Sequence, residues 1–497
     1  MKTRKLLYIL PLAALVACEP EFDDVDFNGG SADFTKTVAV GNSLTAGYQS
    51  GALSAEGQLN SLPAILAQQL KEVGGGDFNQ PLLTGEQGSK GIGIVDTLLP
   101  KGEVATRFAL KGTVDCLGEA SIGPVRKGDP YSAVPFLTGM ASVAADGPYN
   151  NQGIPGARLV DITNPAFVNP FFARLKTSLP ATMLSMAMDL DATFFTFWIG
   201  NNDVLGYATT GGDEGSTGPN GMTDPNTFTM SYDAAIDSLT ANGAKGVVAN
   251  IPDITSIPFF TTVKWNALVL TQAQADFFNN YPLVQAYNAA LDNPSVIAQF
   301  GMNGAAEAES RKLNFSAGAN GFLMLDTDLS DAVTDTMGTP LPKFRQLKSG
   351  ELITLSVPGD DIKCKGLGSA DLSDPQNPVI NPMTGNYILD LDEIQKIQNN
   401  IAAYNSTIKM AAMSHSLAHV DANSRLNQLA STGITIDGIT YSSALVTGGA
   451  FSLDGVHPNT RGYAILANDF IDAINSTYSA NVPKVSVASF STIEVEQ

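Results

Sequence analysis

Four short runs of apolar residues recur along the chain, and each is closed by glycine, proline or a polar residue. They occupy residues 35–41, 193–200, 245–252 and 416–422. Continuously apolar runs of this length are typical of strands that are buried on both faces. The stretches between them include helical patterns, so the sequence predicts an α/β protein with a parallel, doubly wound sheet.

Helical patterns occupy four segments, 61–74, 230–244, 391–414 and 461–478. In the last two, apolar residues recur every three or four positions, which places them on one face of a helix. The first begins with Ser61 as its N-cap, carries Pro63 in its first turn and ends at Gly74. These residues favour helix ends, and we assign the apolar faces to the core without a chemical role.

Two regions depart from this alternation of strands and helices. Residues 77–150 are rich in glycine and proline, which predicts irregular structure with short strands. Residues 259–388 contain a helical stretch and the strand-like "ELITLSVP". Because so long a loop without structure of its own would be exceptional, we predict an insertion that caps one side of the site. The whole domain is then expected to span 34–480, followed by a tail at 481–497.

The N-terminus has the order of features found in export signals. A basic start is followed by an apolar run at 6–17, too short for a membrane span, and then by Cys18. "LVAC" resembles the lipobox of bacterial lipoproteins, which predicts a signal peptide at 1–18 and lipidation of Cys18. A plain signal peptide with an incidental cysteine is the alternative.

The segment after the cysteine, 19–33, is acidic and is predicted to be a flexible tether between the membrane and the domain. Acidic residues at this place also resemble the surface-export signals of some outer-membrane lipoproteins. We therefore expect an extracytoplasmic, membrane-anchored lipoprotein, at the outer membrane or cell surface of a Gram-negative bacterium.

Composition and charge narrow the function further. The 497 residues are 44% hydrophobic and 15% charged, and the formal net charge is −21, as expected of a soluble globular domain. The absence of a basic run beyond the first residues argues against nucleic acid as a partner. Besides Cys18 the chain has Cys116 and Cys364, which either pair or remain separate thiols. Neither has metal-ligand spacing to another cysteine or a histidine, so a structural zinc site is not supported.

Four polar segments whose side chains could take part in a reaction follow the predicted strand ends or open the last helix. They are "GNSLTAGY" with Ser43, "NQGIPGA" with Gly156, "GNND" with Asn202, and "DGVHP" with Asp454 and His457. Ligands of open parallel sheets bind beyond the carboxyl ends of the strands, so these segments are expected to meet.

Ester hydrolysis at a serine needs a base, a group that orients the base, and donors for the oxyanion. His457 is the strongest candidate base, because the other two histidines, His415 and His419, flank an apolar strand and are predicted to be structural or exposed. Asp454 can curl back across the Asp-Gly-Val-His turn to accept from the imidazole. For Ser43, the alternative to a nucleophile is a helix N-cap.

Together the four segments resemble the four sequence blocks of the SGNH/GDSL hydrolases. The resemblance implies that Ser43 is the nucleophile, that His457 and Asp454 are base and orienting acid, and that Gly156 and Asn202 join the Ser43 N–H in the oxyanion hole. It further implies a three-layer α/β/α sandwich with a flavodoxin-like parallel sheet. The implied activity is that of a serine esterase or lipase working through an acyl-enzyme without metal or cofactor.

The chain departs from the family pattern in two places. Asn42 stands where the family has an aspartate that braces the serine loop, and the amide keeps the acceptor oxygen without the charge. The insertion leaves the substrate open, because its "IPFFTTVKWNALVL" could line an acyl-chain groove or form the insertion's own core. A carbohydrate O-acetyl esterase is the close alternative, and a non-catalytic glycan- or lipid-binding lipoprotein is the alternative from another class. The oligomeric state stays open.

Overall fold

The computed structural model describes residues 26–93, 103–129, 131–132, 140–212, 221–330, 333–371 and 378–496. The predicted signal peptide, its Cys18 and the first part of the predicted tether lie outside the described residues. Within the described ranges, no helix combines the length and the apolar character that crossing a membrane requires.

Five parallel strands form the central sheet: β1 (Thr37–Gly41), β2 (Asn151–Gly153), β3 (Phe194–Trp198), β4 (Lys245–Ala249) and β5 (Ala418–Val420). Their spatial order is β5-β4-β3-β1-β2. Four of them coincide with the apolar runs, and the predicted parallel α/β sheet is confirmed. Gly41 pairs with both Gly153 and Trp198, so the carboxyl ends of the three strands lie level.

The helices that accompany the sheet are α1 (Ser43–Ala46), α2 (Leu62–Lys71), α3 (Met183–Met188), α4 (Asn202–Thr209), α5 (Pro225–Thr240), α6 (Leu391–Ser414), α7 (Ala422–Ser431) and α8 (Thr460–Tyr478). The short helices are Ala55–Leu59, Gly85–Lys90 and Pro170–Leu175. Single 3₁₀ turns lie at Ala144–Asp146, Leu159–Asp161, Ile254–Ser256 and Val487–Ser489. The predicted Ser61 cap is present, since its hydroxyl accepts the Ala64 N–H at 3.3 Å.

Helices cover both faces of the sheet, as the alternation of side chains along β3 demonstrates. Phe194 and Trp198 point to one face, where the centroid of the Phe194 ring lies 6.0 Å from that of Tyr478 on α8. Phe197 points to the other face and lies 5.2 Å from Tyr232 on α5. Each fully buried aromatic or aliphatic side chain of this core stabilises the fold by about 1.5–3 kcal/mol. The result is three layers, with helix, sheet and helix stacked.

Short antiparallel strand pairs lie outside the sheet. They pair Glu103–Val104 with Tyr131–Ser132, Phe108–Val114 with Ala120–Arg126, and Ile434–Ile436 with Ile439–Tyr441. The first two lie in the region predicted to be irregular with short strands. We call the second one the 108–126 hairpin. Its base is joined to the segment after α1, because the Phe108 N–H donates to the Ser50 carbonyl at 2.7 Å.

Both ends of the described chain are attached to the domain. The Ser31 N–H donates to the Tyr478 carbonyl at 2.8 Å, and the Asn481 N–H donates to the Asn28 carbonyl at 2.9 Å. The described end of the segment predicted to be a free tether is therefore held against the end of α8. In the C-terminal tail, the Glu496 N–H donates to the Leu110 carbonyl at 2.8 Å, so the tail follows the 108–126 hairpin.

The insertion between β4 and α6 has secondary structure of its own. Its helices are Pro258–Thr261, Gln272–Asn280, Pro282–Leu291, Pro294–Ile297, Gly304–Arg311 and Gly359–Cys364, with 3₁₀ turns at Ala298–Asn303 and Gly385–Tyr387. Its strands are Leu268–Leu270, Gly318–Asn320, Leu323–Leu325, Phe344–Gln346, Leu352–Ile353, Ser369–Asp371, Val379–Asn381, Met383–Thr384 and Ile388–Leu389. Of the strand-like "ELITLSVP", only Leu352–Ile353 is a strand.

Two apolar clusters separate from the main core stabilise the insertion. Leu270 is buried in one of them and Trp265 packs against the other. Trp265 and Leu270 of "IPFFTTVKWNALVL" therefore follow the second alternative and form the insertion's own core, whereas Ile257 and Phe260 at its start are buried in the main core. Arg345 is buried between Asp326 and Glu351 and ion-pairs with both, which satisfies the charges of all three.

The insertion contacts the domain at two places that matter for the site. The Phe259 N–H donates to the Gly455 carbonyl at 2.9 Å, on the turn between Asp454 and His457. Cys116 at the tip of the 108–126 hairpin forms a disulfide with Cys364 at the end of the helix Gly359–Cys364. The pairing that the sequence left open is thus settled, and it joins the two regions that lie outside the sheet.

Candidate active site

Ser43 lies directly beyond the carboxyl end of β1 and is the first residue of α1. The cap of this helix is Asn42, whose Oδ1 accepts the Leu44 N–H at 3.0 Å. The hydroxyl of Ser43 is therefore not needed as a cap. Gly153 at the end of β2 packs directly against α1. Any side chain there would clash, because a Cβ on Gly153 would lie 2.4 Å from the Ala46 backbone nitrogen.

The structure brings Ser43, His457 and Asp454 into one chain of hydrogen bonds. His457 Nε2 lies 2.9 Å from Ser43 Oγ, and His457 Nδ1 lies 3.0 Å from Asp454 Oδ2. With the ring proton on Nδ1 donated to Asp454, Nε2 is free to accept the serine proton. The 414 positions that separate Ser43 from His457 are bridged because β1 and the loop before α8 end at the same edge of the sheet.

Asp454 is held by several donors besides the imidazole. Its Oδ1 accepts the N–H groups of Val456 and His457, each at 2.9 Å, and the hydroxyl of Ser452 at 3.0 Å. Its Oδ2 also accepts the Gly51 N–H at 2.8 Å. Burial opposes the charge, but the pairing with His457 and the backbone hydrogen bonds outweigh it and lower the pKa of Asp454 to about 2. Asp454 is accordingly a carboxylate at neutral pH.

Aromatic side chains fix the position of the imidazole. The Tyr48 ring packs against His457 with the ring centroids 4.8 Å apart. Tyr48 is itself tied down, because its carbonyl accepts the Tyr463 hydroxyl from α8 at 2.7 Å. The serine loop, the histidine and the last helix are therefore joined by direct contacts.

Gly156 occupies the turn that follows β2, where it adopts φ of +83°. The Ala157 N–H closes this turn onto the Ile154 carbonyl at 3.1 Å, with Pro155 and Gly156 as the central residues. A glycine at the second central position is what such a turn requires. The turn is joined to the serine loop, since the Ile154 N–H donates to the Gly41 carbonyl at 3.0 Å.

Asn202 begins α4 beyond the end of β3, and its amide reaches the same turn. One Nδ2 hydrogen is donated to the Ala157 carbonyl at 2.8 Å, which leaves a second hydrogen on that nitrogen to donate elsewhere. Asn202, Ser43 and His457 line one pocket. The three predicted oxyanion donors, Ser43, Gly156 and Asn202, thus belong to loops that are connected at one edge of the sheet.

Asp203 is a supporting residue that the sequence reading missed. It is fully buried, and its carboxylate accepts the Thr223 hydroxyl at 2.6 Å and the Leu159 N–H at 2.9 Å. Burial raises the pKa of Asp203 to about 6. The side chain ties α4 to the segment after Gly156, and its signal in the sequence was its place at the end of "GNND".

Ser452 was also missed, although it stands two positions before Asp454 in "FSLDGVHP". The remaining histidines lie away from this chain of hydrogen bonds. His415 contacts Thr240 at 3.1 Å and Asp237 at 3.3 Å. Burial lowers the pKa of His419, which lies within β5.

One group of carboxylates in the described ranges is close enough to hold a metal ion: Asp328, Asp390 and Glu393 offer oxygens within 4.8 Å of one another. Asp390 and Glu393 already form the capping box at the start of α6, where each accepts the other's backbone N–H. Burial, opposed in part by the hydrogen bond from Asp390, raises the pKa of Glu393 to about 8. Two of the three side chains are thus explained by the helix start, and we assign the group no metal.

No protein-family model, no curated protein and no solved structure matches this chain.

Proposed function

We propose that this protein is a serine ester hydrolase of the SGNH/GDSL type. The observation that carries the proposal is the hydrogen-bonded chain from Ser43 Oγ through His457 to Asp454, with distances of 2.9 and 3.0 Å. A hydroxyl, a base and a charged orienting group in this sequence activate a nucleophile for acyl transfer. The donors around Asn202 and Gly156 support the same reaction.

In the acylation step, Ser43 Oγ attacks the ester carbonyl carbon while its proton moves to His457 Nε2. The negative charge that develops on the carbonyl oxygen is stabilised by the Ser43 N–H, the Gly156 N–H and the free amide hydrogen of Asn202. Asp454 stabilises the imidazolium through its bond to Nδ1. The ester C–O bond then breaks, and the alcohol leaves with the proton from His457.

Deacylation repeats these steps with water in place of serine. Water occupies the position that the alcohol has left, His457 removes its proton, and the hydroxide attacks the acyl-enzyme carbonyl. The serine–acyl bond breaks, Ser43 recovers its proton from His457, and the carboxylic acid is released. Over the two steps, one ester and one water are converted into one carboxylic acid and one alcohol.

The order of strands supports the family part of this proposal. Reading across the sheet gives β2-β1-β3-β4-β5, the order of flavodoxin-like doubly wound sheets. In that arrangement the ligand binds beyond the carboxyl end of β1, next to the point where the strand order reverses. Ser43 lies there.

The proposal is tested on the protein from residue 26 onward with a panel of p-nitrophenyl esters and a fluorophosphonate probe. We expect turnover of at least one ester and covalent labelling of Ser43, located by mass spectrometry of the labelled peptide. Ser43→Ala should abolish both, whereas Ser356→Ala, an exposed serine of the insertion, should change neither. Equal and absent activity in the wild type and Ser43→Ala over the whole panel would refute the proposal.

We also propose that the mature protein is anchored to a membrane by a lipid on Cys18. This rests on the order of the basic start, the apolar run and "LVAC" in the sequence. Metabolic labelling with a fatty-acid analogue should mark the wild type and not Cys18→Ser. A labelled Cys18→Ser chain, or an unlabelled wild type, would contradict it.

A further inference from the structure

An apolar pocket opens beside Ser43 and His457 at the carboxyl edge of the sheet. Its walls include Trp198, Ile254, Leu426, Leu429, Phe451 and Ile465. These side chains are buried, and they come from β3, from the 3₁₀ turn after β4, from α7 and α8, and, for Phe451, from the loop before α8. The insertion supplies none of the six.

The pocket runs in one direction from the nucleophile. Trp198 ends β3, Ile254 follows β4, and Leu426 and Leu429 lie on α7 after β5. The pocket therefore crosses the edge in the order β3, β4, β5. Gly156 follows β2, on the opposite side of β1, so the pocket leads away from this predicted oxyanion donor.

The pocket wall also contains two polar side chains, one of which is paired with another residue and one of which lies near Ser43 and His457. Arg425 lines the pocket, but its Nε donates to Asp469 at 2.8 Å and the guanidinium is thereby paired. The side-chain oxygen of Asn201 is buried there without a hydrogen-bond partner in the described part of the chain. Asn201 adjoins Asn202 at the end of the pocket that holds Ser43 and His457, and an alkyl chain fits the apolar wall beyond it.

We propose that this pocket binds the acyl chain of the substrate, and that the substrate is an ester of a straight-chain aliphatic acid with on the order of ten carbons. This rests on the proposed function. The alcohol leaves after acylation and water takes its place, so the alcohol side of the site has to be wetted. A dry pocket suits the group that stays bound to Ser43 through both steps, which is the acyl chain.

The chain length follows from the geometry of the sheet. Three strand spacings separate β1 from β5, and at about 4.8 Å each they span roughly 14 Å. A fully extended polypeptide advances about 3.6 Å for three bonds, so a zigzag carbon chain advances about 1.2 Å per bond. A chain that begins at Ser43 and ends against α7 therefore has on the order of ten carbons.

The first measurement is kcat/KM of the wild type for p-nitrophenyl esters from acetate to palmitate, with the leaving group constant. Full burial of one methylene is worth about fourfold in affinity, so we expect at least a twofold increase per added methylene up to on the order of ten carbons, and no increase beyond. A series that is flat or falls from acetate onward would overturn the proposal.

The second measurement fills the pocket with Leu426→Trp on α7. The ratio of kcat/KM for decanoate ester to that for acetate ester should fall at least about tenfold, since several methylenes lose their contacts. The matched control is Leu283→Trp, at a position 46% exposed on the insertion, which should leave the ratio as it is. An unchanged ratio in a folded Leu426→Trp protein would refute the assignment.

A binding measurement separates this inference from the proposed activity. Calorimetric titration of Ser43→Ala with decanoate should detect binding, and the added Leu426→Trp should remove it. Binding with no ester turnover in the wild type would support the pocket and refute the hydrolase. Turnover without a chain-length preference and without decanoate binding would support the hydrolase and refute the pocket.

Discussion

The hydroxyl of Ser452 donates to Asp454 Oδ1 at 3.0 Å and accepts the backbone N–H of Ser50 at 2.8 Å. Ser452 therefore connects the proposed orienting acid to the segment that follows the proposed nucleophile. Since Asp454 hydrogen-bonds His457 and Ser50 lies seven residues after Ser43, the connection joins the segments that carry His457 and Ser43.

Removal of this connection by Ser452→Ala should lower kcat about tenfold with KM nearly unchanged. A hydrogen bond to a charged group is worth about 1.5–3 kcal/mol, and Asp454 keeps its other donors. Steady-state kinetics on the preferred ester check this, with Ser356→Ala as the matched serine control. A larger effect on KM than on kcat would mean that Ser452 acts on substrate binding instead.

Asn202→Ala should reduce kcat by about 10²–10³-fold, the usual loss for one oxyanion donor. The same change removes the bond to the Ala157 carbonyl, so the turn that carries Gly156 should also lose support. Asn202→Asp, which replaces the donor by a negative charge, should be at least as impaired. A decrease below threefold in either variant would remove Asn202 from the oxyanion hole.

Substitutions of Asn42 test whether the aspartate of the SGNH/GDSL pattern would act differently at this position. Its amide oxygen caps α1, so Asn42→Ala should destabilise the fold by about 1 kcal/mol and lower kcat through the misplaced Ser43. Asn42→Asp keeps an acceptor at the same place and should retain kcat within a fewfold. Thermal melting and ester kinetics of the three proteins decide this, and equal losses in both variants would show that the amide itself is needed.

The disulfide should stabilise the protein by linking residues 248 positions apart. Cys116→Ser is expected to lower the free energy of unfolding by about 2–4 kcal/mol, because the unfolded chain regains the entropy of an open loop. Cys364→Ser and the double variant should show the same decrease in melting temperature, as each removes the same link. Additive decreases would indicate that the cysteines stabilise the fold separately.

Glu393 makes stability depend on pH near neutrality. Its pKa is raised by burial to about 8 from an ordinary value of 4.5, so the folded state favours the protonated carboxyl. The stabilising contribution is present below pH 4.5 and is lost as the pH rises towards 8. Glu393→Gln keeps an acceptor for the Asp390 N–H but cannot ionise. The melting temperature, measured by calorimetry, should therefore decrease less between pH 5 and pH 8 in this variant than in the wild type. A parallel pH dependence in both proteins would contradict this.

Strands β1, β3, β4 and β5 were predictable because burial on both faces demands uninterrupted apolar residues. The polar strand β2 carried no such signal. Asn151 and Gln152 are buried there only because their amides find partners, such as the Thr45 carbonyl 3.1 Å from Asn151 Nδ2. A polar residue is predicted to be exposed unless the distant residue that hydrogen-bonds it is known.

The residues proposed to react could be named from the sequence because each stands in a short local segment. Ser43 follows a strand, and Asp454 lies one tight turn before His457. Their supports could not be named in the same way, since the Gly51 N–H on Asp454 comes from 403 positions away.

By itself, the sequence determined the class of fold, the candidate nucleophile, base and acid, and the existence of an insertion, because these depend on periodicity and local spacing. Only the tertiary structure decided the pairing of Cys116 with Cys364 and the place of the apolar pocket. The sequence left open whether the apolar stretch of the insertion lines a groove, and the pocket wall is formed mainly by other segments, with α7 and α8 among them. Such features depend on which buried faces meet. The residues adjacent to a side chain in the sequence do not show which distant residues it will contact in the fold.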